Sequence, residues 1–253
     1  MKYKFVAVDM DGTLLNSEGL ITEKTIEAIT GIVDKGVIFT ISTGRPIQGV
    51  EKYNSLLRLK GPVITYNGAM IVNAENHEVM FEQRLMREDA KKILELGQKY
   101  DTTMCIWASN QLYGNKLNDK IKDFDKLLDI GITKILWYDE MDRIKQILKE
   151  LSCNMFSEVS YCTSKPVFLE FFSSRVSKSA AMEKIGELYG IKQEEMIAIG
   201  DGLNDLSMIQ YAGIGVAMEN AEEEVKRNSQ YVTTSNDEDG VRKAIEKFFT
   251  EDK

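Results

Sequence analysis

Residues 4–10, Lys-Phe-Val-Ala-Val-Asp-Met, form a strand-length apolar run that ends in acid. A strand apolar on both faces must lie inside a sheet covered on both sides, which points to a parallel sheet between helices. The residues that follow repeat this pattern. Residues 22–35 have helical periodicity, with Thr22 placed as the N-cap, Ile26, Ile29 and Val33 on one face, and Gly36 at the end. Residues 37–42 are a second apolar strand, Pro46 opens a helix to about Leu59, and residues 62–66 are a third strand. Asn67-Gly68, between two apolar runs, is a hairpin signal.

From about residue 84 the texture changes. Helices are expected over 87–100, 119–129 and 141–151, and strands over 102–107, 111–113, 132–138, 155–161 and 167–172. That mixture suits a compact α+β layer. After residue 177 the earlier pattern returns, with helices at 178–189, 203–211, 221–228 and 239–249 and strands at 196–200 and 214–217. The expected fold is α/β: a Rossmann-like, doubly wound, mostly parallel sheet with an inserted α+β domain. The expected boundaries are 1–83 and 175–253 for the core and 84–174 for the insertion.

Composition narrows the chemistry. A net charge of −8 argues against a nucleic-acid or anionic-membrane binder, since both need a basic surface. No apolar run reaches the length of a membrane span, and no signal peptide is recognisable, so the cytoplasm is the default location. Cys105, Cys153 and Cys162 have no CxxC spacing and read as reduced, partly buried thiols. The single histidine, His77, lies in a polar stretch that reads as a solvated turn, and it cannot supply a multi-imidazole zinc site. The remaining tools are carboxylates, lysine, hydroxyls and a hard metal ion.

Those tools cluster at strand ends. Asp9-Met10-Asp11-Gly12-Thr13-Leu14 closes the first strand, where open α/β sheets bind ligands. Asp9 and Asp11, two apart, share one side of an extended backbone, and Met10 turns away. Such a string arises by chance about once per 10⁵ positions. Ser42-Thr43-Gly44-Arg45-Pro46 closes the second strand with a hydroxyl, a glycine and helix-start N–H groups, a ready anion site that ordinary capping would also explain. Lys178 follows the presumptive cap Ser177, and a cation at a helix start calls for an anionic partner. Gly200-Asp201-Gly202-Leu203-Asn204-Asp205 adds carboxylates after another strand. Asp9, Asp11 and Asp201 in one cleft would repel without a cation, and oxygen-only ligation suits Mg²⁺.

The four motifs, DxDGT, TGR, lysine and GDxxND, resemble in order and spacing those of the haloacid dehalogenase-like superfamily. The Asn67-Gly68-Ala69 turn and the position of the insertion are similar to its Cof-type, or type IIB cap, phosphatases. The resemblance implies a Mg²⁺-dependent phosphatase acting on a small phosphorylated metabolite through a phosphoaspartate. It makes Asp9 the nucleophile and a metal ligand, and Asp11 the general acid/base with its backbone carbonyl on the metal. Asp201 becomes a third ligand, with Asp205 in support. Met10, Thr43, Gly44, Lys178 and Asn204 become the phosphate cradle. Arg45, Tyr66, Asn67 and Trp107 are candidate specificity residues, with Tyr113 and Trp137 further candidates in the insertion. A sugar phosphomutase would share this core and intermediate, and a non-catalytic phospholigand sensor is the non-enzyme alternative, against which the intact Asp9/Asp11 pair counts. A cation-pumping ATPase would need membrane helices. Substrate identity and oligomeric state stay open.

Overall fold

The computed structural model describes residues 1–114, 124–151, 155–163 and 165–250. Its chain divides into two compact units, Met1–Phe81 with Ser177–Lys253 and, inserted between them, Glu82–Val176.

The first unit opens with β1 (Phe5–Asp9), buried at every position. Helix α1 (Glu23–Val33) is capped by Thr22, whose hydroxyl accepts the Thr25 N–H, as the sequence suggests. Its buried positions are Thr25, Ile29 and Ile32, while Ile26 and Val33 flank that stripe. Strand β2 (Ile38–Ser42) follows. The helix expected from Pro46 to Leu59 is instead a single 3₁₀ turn, Ile47–Gly49, and a short α2 (Glu51–Leu56). Strands β3 (Pro62–Thr65) and β4 (Met70–Asn73) pair antiparallel across the Tyr66–Gly68 turn, so the hairpin is present. Strand β5 (Val79–Glu82) then adds an edge the sequence did not announce.

The second unit contains α3 (Arg87–Lys99), β6 (Thr103–Ala108), β7 (Gln111–Tyr113), α4 (Phe124–Ile130), β8 (Ile132–Tyr138), α5 (Met141–Glu150), β9 (Val159–Cys162) and β10 (Phe168–Ser173). Its five strands run in the order β7-β6-β8-β10-β9, every pair antiparallel. The core gathers Ile93, Leu94, Ile106, Ile135, Trp137 and Phe171, with the Trp137 and Phe171 ring centroids 4.6 Å apart. The expected start of α4, at 119–123, lies outside the described residues, as does Cys153.

The chain returns to the first unit with α6 (Lys178–Tyr189), β11 (Met196–Gly200), α7 (Leu206–Tyr211), β12 (Ile214–Ala217), α8 (Glu223–Arg227), β13 (Tyr231–Val232) and α9 (Gly240–Thr250). The eight strands of this sheet are ordered β13-β12-β11-β1-β2-β3-β4-β5. β1 pairs in parallel with both β2 and β11. From β1 the chain winds outward through β2 and β3 and later, from β11, through β12 and β13. The carboxyl ends of β1 and β11 therefore flank the point where strand order reverses, the place where open α/β sheets bind ligands. Among the described residues no helix is long and apolar enough to cross a membrane.

Candidate active site

Asp9 ends β1 with 6% exposure, and Met10 after it is fully buried. The chain then folds back at once: Leu14 N–H donates to the Asp9 carbonyl at 3.1 Å and Leu15 N–H to the Met10 carbonyl at 2.9 Å. Gly12 makes this turn with φ +84°, and a Cβ there would lie 2.4 Å from an Asp201 carboxylate oxygen. Both the backbone sign and the lack of space require glycine.

One carboxylate oxygen each from Asp9, Asp201 and Asp205 falls within 4.8 Å of the others. Asp201 accepts the Thr13 hydroxyl at 2.6 Å. Asp205 is buried and already engaged at both oxygens: Oδ2 accepts the N–H groups of Asp201 and Gly202, each at 3.0 Å, and Oδ1 accepts Lys178 at 2.5 Å. Asp205 thus braces the Asp201 turn. Lys178, the first residue of α6 behind the cap Ser177, is buried and donates to Asp9 Oδ1 at 2.5 Å, Asp205 Oδ1 at 2.5 Å and the Ser42 carbonyl at 2.8 Å. Its three donors are therefore occupied.

The charges do not balance. Burial carries the Asp9 carboxyl from 3.8 up to about 7; Lys178 pulls it down, and Asp205 and Asp201 push it up again. Burial also raises Asp201, with Thr13 working against it and Asp205 adding to it. Burial would strip the Lys178 proton, but Asp9 and Asp205 hold its affinity above that of an ordinary lysine. One buried cation faces three carboxylates, all-oxygen donors suited to a hard divalent ion, so the residues present fit Mg²⁺ at Asp9 and Asp201.

Thr43 and Gly44 follow β2. Thr43 is buried and bonded on both sides: its N–H donates to the Ile64 carbonyl and its carbonyl accepts the Asn67 N–H, each at 2.9 Å. A Cβ on Gly44 would meet the Asn67 carboxamide at 3.1 Å. Tyr66, Asn67 and Gly68 all have positive φ (51°, 56° and 105°), and a Cβ on Gly68 would lie 2.1 Å from the Ser177 carbonyl oxygen. This turn touches both the Thr43–Gly44 loop and the start of α6. Asn204 is exposed on the Asp201–Asp205 turn.

The other candidate residues lie in varied settings. The Asp11 carboxylate lies outside the acidic cluster, exposed and ion-paired to Arg45 at 2.5 Å. Tyr66 is buried, and its N–H donates to the Arg45 carbonyl at 3.3 Å. Trp137 is fully buried core in the second unit. Trp107 is half-buried, with the Lys134 ammonium 5.3 Å from its ring centroid, and Tyr113 is half-buried. Cys105 is half-buried, whereas Cys162 is exposed rather than buried. His77 is exposed in a turn, at φ 59°.

Asn220 escaped the sequence reading. Its Nδ2 donates to the Gly12 carbonyl at 2.8 Å, its Oδ1 accepts the Asn236 N–H at 3.0 Å, and Asn236 Nδ2 donates to the Leu15 carbonyl at 2.8 Å. Two asparagines therefore hold the Gly12 turn from behind. Only the pairing of residues far apart in the chain reveals them.

A family model described as haloacid dehalogenase-like hydrolase matches residues 6–245. The 5-amino-6-(5-phospho-D-ribitylamino)uracil phosphatase YcsE of Bacillus subtilis (strain 168) is 37% identical over 246 residues, covering 96% of this chain and 94% of its own. The crystal structure of a haloacid dehalogenase-like hydrolase from Bacteroides thetaiotaomicron superposes with a TM-score of 0.87 at 32% identity, over 98% of this chain and all of that one. The subclass IIB sugar phosphatase BT4131 superposes with a TM-score of 0.73 at 28% identity, over 97% of this chain and 98% of its own. The chain belongs to the haloacid dehalogenase-like hydrolases, in their Cof-type branch, and is a phosphoric monoester hydrolase.

Proposed function

We propose that the chain hydrolyses a small sugar or polyol phosphate through a phosphoaspartate on Asp9, with Mg²⁺ held by Asp9, Asp201 and the Asp11 carbonyl. The observation that carries this reading is the buried Asp9 carboxylate, aligned with Lys178 at the strand-order switch point beside Asp201. YcsE and BT4131, named for a ribityl phosphate and for sugar phosphates, support the substrate class.

In the first half-reaction an Asp9 oxygen attacks phosphorus, the bond to the leaving oxygen breaks, and Asp11 gives that oxygen its proton. In the second, water attacks the same phosphorus, Asp11 takes the water's proton, and the bond to Asp9 breaks. Lys178 offsets negative charge beside the nucleophile, and the Thr43 hydroxyl, the Gly44 backbone N–H and the Asn204 amide receive the phosphoryl oxygens. When bound, Mg²⁺ offsets the repulsion between the Asp9 carboxylate and the phosphate dianion. All of these groups recognise only phosphate and metal, so the inserted unit is assigned the discrimination of the leaving group. The cytoplasm is the proposed location.

The test is phosphate release from a panel of phosphomonoesters, before and after chelation. Activity is expected to vanish in EDTA and return with added Mg²⁺. Full activity after complete metal removal would contradict the reading.

A further inference from the structure

The Arg45 side chain, expected at the substrate, is engaged within the protein. Its Nε donates to Asp11 Oδ2 at 2.9 Å and its Nη2 to Asp11 Oδ1 at 2.5 Å, a planar two-point fork. The arginine itself is held on several sides. Its stem lies beside Gly49, where a Cβ would come within 3.3 Å of Arg45 Cβ and 3.4 Å of its Cδ. The Asp11 carboxylate first, and the buried Tyr53 phenol after it, raise the guanidinium's hold on its proton, and Tyr53 is itself anchored by donating to the Gly19 carbonyl at 3.2 Å. The Arg45 N–H donates to Thr43 Oγ1 at 3.2 Å, and its carbonyl accepts the Tyr66 N–H at 3.3 Å.

The Arg45 and Asp11 side chains are 39% and 57% exposed, and ion pairs so exposed add little to folding stability. The construction around Arg45 therefore calls for another explanation. An exposed aspartate on a turn can take several rotamers, whereas a proton donor must hold one oxygen within hydrogen-bond reach of the leaving group. A misplacement of about 1 Å costs about a hundredfold in rate.

We propose that Arg45 is a positioning residue that fixes the plane of the Asp11 carboxyl for proton transfer, with Tyr53 fixing Arg45. The fork uses one lone pair on each Asp11 oxygen and leaves the other for the reacting oxygen. The proposal rests on the reading of Asp11 as general acid/base.

Two esters with different needs for a proton separate the possibilities: ribose 5-phosphate, whose alkoxide must be protonated, and p-nitrophenyl phosphate, whose phenolate leaves unaided. The readout is kcat/KM, which covers steps through the first phosphoryl transfer. Asp11→Asn should lower the sugar ester's value by about 10²–10⁴-fold and the aryl ester's far less. Arg45→Ala should show the same asymmetry, about tenfold or more on the sugar ester and no more than about twofold on the aryl ester. Arg45→Lys should recover part of the loss, and Tyr53→Phe should give a smaller loss of the same kind. In an Asp11→Asn background, Arg45→Ala should add nothing. Equal losses on both esters, or additivity with Asp11→Asn, would mean that Arg45 meets the substrate itself and would overturn the proposal. If Asp11→Asn shows no asymmetry, the general-acid reading fails and the proposal falls with it. Asymmetry in Asp11→Asn but not in Arg45→Ala overturns the positioning role alone.

Discussion

Lys178 and Asp9 meet where neither could stand alone: a buried ammonium at a helix start and a buried carboxylate at a strand end. The arrangement favours chemistry over stability, because Asp9, Asp201 and Asp205 outnumber the one cation. Asp9 has a folded pKa of about 7 against 3.8 in the unfolded chain, so the folded state holds a proton that the unfolded state has lost. Stability from this group therefore falls as pH rises from about 4 to about 7, and is lowest above that window. Asp9→Asn should abolish phosphate release, yet in EDTA at pH 8 it should melt at least about 2 °C above wild type. At pH 5 that gain should shrink. A Tm drop at pH 8 would show that Asp9 stabilises the fold, against this account. The meeting of Asp9, Asp201 and Lys178 was legible because motif spacing and strand ends place them. The Asp11–Arg45 fork and the Asn220 brace were not, since they join positions 34 and 208 residues apart. Spacing along the chain carries no record of such pairs.

Elements with a strong period were read correctly, and those shaped by their neighbours were not. Thr22 and Ser177 cap α1 and α6 because a hydroxyl before a helical period has one good use. The helix after Pro46 breaks at Val50, whose φ of −117° departs from the helical value, next to Gly49 packed beside the Arg45 stem. Strands β5 and β13 are short and half-exposed, so neither shows an alternating pattern. In the second unit, Asp89 in the first turn of α3 is fully buried and binds the 157–158 loop. It accepts the Ser157 hydroxyl at 2.8 Å and the Glu158 N–H at 2.9 Å. Burial works against its charge, but the Glu158 and Ser157 donors hold it below the ordinary aspartate value. Its contribution is present above about pH 4 and lost as pH falls through the depressed pKa. Asp89→Ala should destabilise this unit by about 1–3 kcal/mol at pH 7. Urea melts followed by tryptophan fluorescence report it selectively, because both tryptophans, Trp107 and Trp137, lie there. An unchanged midpoint would show that the loop is held by other contacts.

The whole chain joins a sheet that supplies every proposed phosphate and metal group to an inserted unit that supplies none of them. Exchanging residues 82–176 for the equivalent segment of a relative should reorder kcat/KM across sugar, polyol and aryl phosphates while leaving the Mg²⁺ requirement in place. An unchanged ranking in a folded chimera would assign specificity to the sheet unit instead. A parallel sheet binding ligand at its strand ends was foreseeable from apolar runs alternating with helical periods, whereas the order of strands was not, and in the inserted sheet antiparallel pairing of short strands leaves many registers open. The central claim, covalent catalysis by Asp9, is tested most directly by rapid quench of the enzyme with substrate into sodium borohydride, followed by peptide mass spectrometry. An acyl phosphate on Asp9 is reduced, so the account predicts homoserine at position 9 only when both substrate and Mg²⁺ are present. Unmodified aspartate at position 9, with a borohydride-resistant phosphoryl group on another residue, would contradict it.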